Sequence, residues 1–258
     1  MSKRPPAVTT AIDGGLATVR MGRDHGNAIN DELLDGLIAA FEGAGRDTAV
    51  RGVLLAASGK IFCPGLDLIE LRAFDRAELR RFMTKLSRCF QALFTFPKPV
   101  VAAISGHALA GGCVIALTTD WRVLRWGALL GLNEIRVGLP LPLDVALLLE
   151  SSVLAPRLAE VALLGANYTD DAAVAAGLAH EVHEAEGFEA FCLSRLGEYA
   201  SRNAAAFALT KRYLRSGVVE RVEASRGAFV DEFVDVWFTE DSQRTIDRVL
   251  DDLESRKR

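Results

Sequence analysis

Val100-Val101-Ala102-Ala103-Ile104-Ser105-Gly106-His107-Ala108-Leu109-Ala110-Gly111-Gly112-Cys113-Val114 is the stretch on which the reading of this chain turns. Its first five residues form an unbroken apolar run, the pattern of a strand buried on both faces. Pro97-Lys98-Pro99 fixes where that strand begins, because proline removes a donor and cannot continue a helix. Residues 105–112 read as a tight turn and 112–119 as a short, very apolar helix. A strand that turns through glycines into a helix offers N–H groups without intrahelical partners and a partial positive charge. That is a seat for a developing oxyanion. Close packing of helix on strand would require the same small residues, so the turn by itself leaves both readings open.

The better-known glycine patterns do not fit. Gly106 and Gly111 match the glycines of G-x-x-x-x-G-K-[ST], but Gly112 and Cys113 stand where the lysine and hydroxyl belong. The spacing is not G-x-G-x-x-G, and Ser105 precedes its glycine, which excludes G-x-S-x-G.

Working outward, a second turn of the same kind lies at Cys63-Pro64-Gly65-Leu66-Asp67-Leu68. It follows a buried strand at 52–57 and a loop at 58–65, and precedes a helical pattern that breaks near Asp75 and runs to about Phe94. Asp67 is expected as the N-cap of that helix, with the Leu66 N–H left free. Upstream, 16–21 reads as a strand. Asn30 is expected to cap a helix with Leu33, Leu34, Leu37, Ile38 and Phe41 on one face, weakened at its end by Gly43 and Gly45. Downstream, strands are expected at 121–124, 129–132 and 178–182, and helices at 143–152, 156–164 and 170–176, with Thr169 or Asp170 as cap. From Gly187 the pattern is all helical, and Phe229, Phe233 and Trp237 share a face flanked by Val230, Val234 and Phe238. The alternation predicts an α/β core over 1–186 followed by a helical region over 187–258.

The totals narrow the function classes. With 258 residues, half hydrophobic and a quarter charged, the chain has the composition of a globular protein with a sizeable core. A formal charge of −4 speaks against broad nucleic-acid binding. Apolar runs such as 97–117 are interrupted by His107 and glycines, so no membrane span is expected. The start, Met1-Ser2-Lys3-Arg4-Pro5-Pro6, has charge without an apolar stretch behind it and does not read as a secretory signal. Cys63, Cys89, Cys113 and Cys192 show no C-x-x-C spacing and read as reduced thiols, which together with the absent signal gives a cytoplasmic expectation.

Glu134, in Gly131-Leu132-Asn133-Glu134-Ile135-Arg136-Val137-Gly138, is the acidic residue placed where a base would be wanted. Taken alone it reads first as an edge-strand glutamate that is solvated or paired with Arg136. Its neighbours Leu132, Ile135, Val137, Leu139 and Leu141 are apolar, and a carboxylate held among them would have its pKa raised toward a value useful for proton transfer. His180 and His183 lie three apart without further ligands, so no metal site is expected; His25 and His107 read as loop residues.

These segments, with Asn27-Ala28-Ile29-Asn30, resemble the enoyl-CoA hydratase/isomerase (crotonase) superfamily from about Leu16 to the C-terminal helices. The resemblance implies a spiral of β-β-α units with a C-terminal helical trimerisation region, and an acyl-CoA thioester as ligand. It implies an oxyanion hole from the N–H groups of Leu66 and Gly111. Ala28, Pro64, Gly65, Leu66, Asp67, Leu68 and Asn133 would line the CoA and substrate path. Assembly as a homotrimer or dimer of trimers is expected, with no metal and no cofactor beyond the coenzyme A of the substrate. Hydratases of this superfamily use two glutamates. One matches Glu134; the other falls on Val114. The wording looks closest to Δ3,Δ2-enoyl-CoA isomerases, which work with one glutamate. A hydratase or other acyl-CoA lyase or decarboxylase, and a non-catalytic acyl-CoA-binding protein, are the alternatives.

Overall fold

A computed structural model describes residues 5–255. Met1 to Arg4 and the last three residues of the C-terminal stretch lie outside the described residues. The chain opens with an antiparallel hairpin, β1 (Val8–Asp13) and β2 (Leu16–Met21). Helix α1 (Asp31–Arg46) follows, capped by the Asn30 side chain, which accepts from the Leu33 N–H. Its buried face is Leu33, Leu34, Leu37 and Phe41, as the spacing predicts, and it runs through Gly43 and Gly45 to Arg46.

A two-strand step then repeats. Strand β3 (Gly52–Ala57) joins a large sheet and β4 (Ile61–Cys63) a small one, before α2 (Leu68–Leu71) and α3 (Arg76–Phe94). The next unit is β5 (Val100–Ile104), β6 (His107–Leu109) and α4 (Gly111–Leu117); the third is β7 (Trp121–Arg125), β8 (Leu129–Gly131) and α5 (Leu143–Ser152). The core closes with α6 (Leu158–Ala162), β9 (Asn167–Thr169), α7 (Asp170–Ala175) and β10 (Glu181–His183). Three helices end the chain: α8 (Phe188–Ala200), α9 (Ala204–Trp237) and α10 (Glu240–Ser255). The large sheet has the order β1-β2-β3-β5-β7-β10 and is parallel from β2 onward; the small sheet is β4-β6-β8-β9, with β9 antiparallel.

Several expectations need correcting. Residues 58–65 and 105–112 are not loops throughout, since each contains a three-residue strand, β4 or β6. Three residues are too few to display a period of two. The helix expected at 156–164 is a 3-10 turn at Ala155–Arg157 followed by the short α6, and the last strand lies at Glu181–His183. Thr169 stands at the N-cap position of α7, but neither proposed cap supplies a side-chain bond to it. Asp170, at φ 51°, turns its Oδ1 to the Gly127 N–H.

The central parallel strands are buried on both faces. Val53 and Leu55 of β3 belong to the main core with α1 and α3, whereas Leu54 and Ala56 face Phe188, Cys192 and Leu196 of α8. Each fully buried Val, Leu or Phe among them contributes about 1.5–3 kcal/mol. Helix α9 adds Phe229, Val230, Phe233, Val234 and Trp237 to the main core. Among the described residues, no helix is long and apolar enough to cross a membrane.

Candidate active site

The two glycine turns meet. Gly65 has φ 106°, open to glycine alone without strain, and a Cβ there would lie 2.8 Å from the Ala110 Cβ and 3.4 Å from the Gly111 nitrogen. Gly112 is pressed harder: a Cβ would fall 2.0 Å from the Cys63 carbonyl oxygen. Glycine at these positions lets the end of β4 lie directly against the start of α4. Close packing of helix on strand, one of the two readings left open by the sequence, is therefore what these glycines serve in the fold. Ala110, the N-cap of α4, sits at φ 49° and ψ −127°. A non-glycine residue there costs of order 1–3 kcal/mol, a strain that clusters at functional sites.

Both turns leave N–H groups uncommitted by the backbone ladder. Ile29 pairs with Leu66 in an isolated parallel bridge whose bonds run from the Ile29 N–H to the Gly65 carbonyl (2.8 Å) and from the Asp67 N–H to the Ile29 carbonyl (2.9 Å). Neither bond uses the Leu66 N–H. In α4 the Val114 N–H donates to the Ala110 carbonyl at 3.1 Å, so the Gly111 N–H, one turn earlier, has no intrahelical acceptor.

Leu66, Gly111 and Glu134 line one apolar pocket of about 530 Å³, a volume typical of ligand sites. Ala28, Pro64, Asp67, Leu68 and Asn133 line it too; Gly65 lies behind the wall against Ala110 and Gly111. Asp67 is the N-cap of α2, as expected, accepting from the Glu70 N–H. Its second oxygen is 2.7 Å from Arg23 Nη2, with both side chains under a tenth exposed. A groove of about 620 Å³ along α9, lined by Lys211, Arg212 and Glu220, contains neither turn nor Glu134.

Glu134 does not lie on an edge strand. It opens a 3-10 turn (Glu134–Val137) that follows β8 and ends at Gly138 in the left-handed region. The residue is half-buried overall, yet its Oε2 is buried without a hydrogen-bond partner, so this oxygen is not paired with Arg136. Burial pushes the carboxyl up to about 7, against a smaller lowering by its own N–H. Val137 and Leu139 face the pocket, while Ile135 is 47% exposed and points away. Val114 lines the same pocket and is itself buried. Burial also pushes the Cys63 thiol beside the first turn up to about 12, and Cys113 is raised as well, so neither is a thiolate nucleophile at neutral pH. His180 stacks on Trp121 and His183 on Phe191. His107 belongs to β6 rather than to a loop, and its Nδ1 accepts from the Leu129 N–H.

Sequence reasoning missed several residues. Asn27, at φ 66°, donates to the carbonyls of Ile61 and Phe62 and holds the β4 segment in place. Helices α9 and α10 close the pocket with Phe229, Phe233, Val249 and Leu253, a role beyond the trimerisation expected of them. Asp144 and Ser87 bring polar groups to the pocket wall, so Glu134 is not its only carboxylate. The aromatic face of α9 is visible in the sequence, and Asn27 belongs to a segment that carries the resemblance, though without this role; nothing in the sequence pattern marks Asp144 or Ser87.

Comparison with known proteins agrees with this architecture. The family model described as enoyl-CoA hydratase/isomerase matches residues 11–256. The human mitochondrial enoyl-CoA delta isomerase 1 is 28% identical over 247 residues, 94% of this chain and 82% of that protein. A probable enoyl-CoA hydratase of Mycobacterium avium is 33% identical over 170 residues, 66% of each chain. The crystal structure of human mitochondrial Δ3-Δ2-enoyl-CoA isomerase superposes with a TM-score of 0.94 at 26% identity, covering 98% of this chain and all of that one. The chain belongs to the enoyl-CoA hydratase/isomerase family.

Proposed function

We propose that this protein moves the double bond of 3-enoyl-CoA thioesters to give trans-2-enoyl-CoA, with Glu134 as the single shuttling base. The observation that carries the reading is the Glu134 Oε2. Among the described residues it is the one buried carboxylate oxygen without a hydrogen-bond partner, and it faces the pocket that the two turns share. In this reading the thioester oxygen accepts from the N–H groups of Leu66 and Gly111. Glu134 takes a proton from C2, and the released electron pair forms an enolate conjugated with the C3–C4 double bond. The same carboxyl returns the proton to C4, the carbonyl re-forms, and the double bond lies between C2 and C3. Donors preorganised toward the thioester oxygen stabilise the charge that develops there, and losing one such donor elsewhere costs about 2.7–4 kcal/mol. A pKa near 7 lets one carboxyl both accept and return the proton at neutral pH. Ala28, Pro64, Asp67, Leu68 and Asn133 would guide the CoA and acyl chain, with Gly65 shaping the turn behind them. The proton shuttle is internal, so this chemistry calls for no metal or redox cofactor.

Hydration would need a second group to hold and deprotonate water, and the Val114 side chain cannot do so. Incubated with crotonyl-CoA, the protein should leave the enoyl absorbance unchanged over the time in which it exhausts an equal amount of a 3-enoyl-CoA. Loss of that absorbance at a comparable rate would make it a hydratase. A purely binding protein gains nothing from a buried carboxylate oxygen without a partner, which destabilises the fold.

We further propose that the protein self-associates as a homotrimer or a dimer of trimers. Ile135, Leu163 and Leu164 are 47%, 74% and 69% exposed, and a Cβ on the adjacent Gly165 would lie 2.9 Å from the Ile135 side chain. That places an uncovered apolar patch behind the Glu134 turn, where an assembly contact would stiffen it. Sedimentation at micromolar concentration should give three or six chains; a monomer would overturn the assignment.

A further inference from the structure

We infer that the acyl pocket ends in a hydrogen-bonding wall, Asp144 with Ser87, that selects acyl-CoA substrates carrying a hydroxyl group toward the far end of the chain. The inference rests on the reading of this pocket as an acyl-CoA site. The pocket is otherwise apolar along this side, formed by Met83, Leu86, Phe90, Val145, Phe229 and Phe233. Asp144 and Ser87 interrupt it, at 5% and 3% exposure. Together with Phe90 they also face a cavity of only about 20 Å³ beyond, between α3, α5 and α9. That space suits one or two waters and is too small for a continuing alkyl chain. In this proposal the acyl tail reaches the end of the pocket that Asp144, Ser87 and Phe90 share with the small cavity.

The wall is built rather than incidental. Arg226 Nε donates to the Ser87 hydroxyl oxygen at 3.1 Å, and its Nη2 donates to Gln91 Oε1. Gln91 Nε2 in turn donates to Glu223 at 2.7 Å. Ser87 and Asp144 stand side by side in both the pocket and the small cavity, with the Ser87 oxygen held by Arg226. Asp144 Oδ1 accepts from the Val145 N–H at 2.9 Å. That N–H occupies one of about four acceptor positions on the carboxylate, which leaves capacity for a donor from the ligand. The chemistry of that donor follows from the charges present. Burial raises the Asp144 pKa, with Arg226 among the smaller opposing influences, so a carboxylate tail, which brings a second buried negative charge, would be repelled. A neutral hydroxyl donates without adding charge. A plain methyl end would desolvate Asp144 and return no hydrogen bond.

Isothermal titration measures this directly with saturated esters, which cannot isomerise: hexanoyl-, octanoyl- and decanoyl-CoA, each against its ω-hydroxy counterpart. At the length that reaches the wall, the hydroxy ester should bind at least about 10-fold tighter to the wild-type protein, a difference of about 1.4 kcal/mol. Asp144→Leu should reverse that order. Should that variant fail to fold, Ser87→Ala should narrow the preference several-fold. The plain ester binding more tightly at every length, or a hydroxyl preference unchanged by either variant, would overturn the proposal and leave Asp144 as an acid in the first turn of α5. Tight binding of the plain esters with isomerase activity intact would remove the wall's role and keep the isomerase reading. No binding of any ester would remove both.

Discussion

Glu134→Gln should lower the conversion of 3-enoyl-CoA by about 10²–10⁴-fold while acyl-CoA binding persists, the range over which a positioned acid–base group contributes. The amide keeps the size of the side chain and its place in the 3-10 turn, so the two turns and the pocket stay assembled. Wild-type kcat/KM should rise with pH through about 7, because only the ionised carboxylate removes the C2 proton and burial holds its pKa there. The same burial has an opposite effect on stability. The folded-state pKa lies above the ordinary value of 4.5, so between pH 4.5 and about 7 the folded protein holds a proton that the unfolded chain has lost. Stability therefore falls as pH rises through that window and levels off above it. At about 1.4 kcal/mol per pKa unit, the ionised form costs about 3–4 kcal/mol at pH 8. Glu134→Gln should thus be more stable than wild type at pH 8 and close to it at pH 4.5, as followed by urea unfolding. A variant that keeps most of its activity, or one destabilised at pH 8, would remove Glu134 from the role of base.

This opposition between activity and stability is also why the site could be read in part from the sequence. Apolar residues around an acid are visible in one dimension, and Val137 and Leu139 do line the pocket with Glu134. Ile135 does not, because the segment is a 3-10 turn and not an edge strand. The glycine turns were legible because sterics leave few alternatives at Gly65 and Gly112. Strands β4 and β6 were not, since their three-residue runs sit among the same glycines. Asp144 stayed hidden for a different reason. In the sequence it is an acid in the first turn of an apolar helix, a common and bland arrangement. Its significance comes from the way α5 faces Ser87 of α3 and Arg226 of α9, a tertiary relation between residues 57 to 139 positions apart.

Asp120→Asn, although nearly isosteric, should destabilise the fold by about 3–5 kcal/mol. Asp120 lies between α4 and β7 and ties the long helix α9 to the large sheet. Its Oδ2 accepts from the Val100 N–H at 2.8 Å and from Lys211 Nζ at 2.7 Å, and its Oδ1 accepts from Arg215 Nη2 at 2.7 Å. All three side chains are at most 14% exposed. Burial already pulls Lys211 down to about 8 and lowers Arg215, so both cations depend on the carboxylate between them. Asparagine keeps the shape and an acceptor for Val100 but leaves two buried positive charges facing each other. For a chain of this length the loss corresponds to a fall in Tm of roughly 6–20 °C. Combining Asp120→Asn with Lys211→Met should cost less than the sum of the two single changes, because the second removes one of the charges the first has stranded. Additive costs, or a Tm within about 2 °C of wild type, would show that the triad does not anchor α9. The pocket should register the same change. Phe229 and Phe233 reach it from the far end of α9, so loosening the anchor should raise KM for the acyl-CoA more than it lowers kcat, leaving the Glu134 chemistry in place.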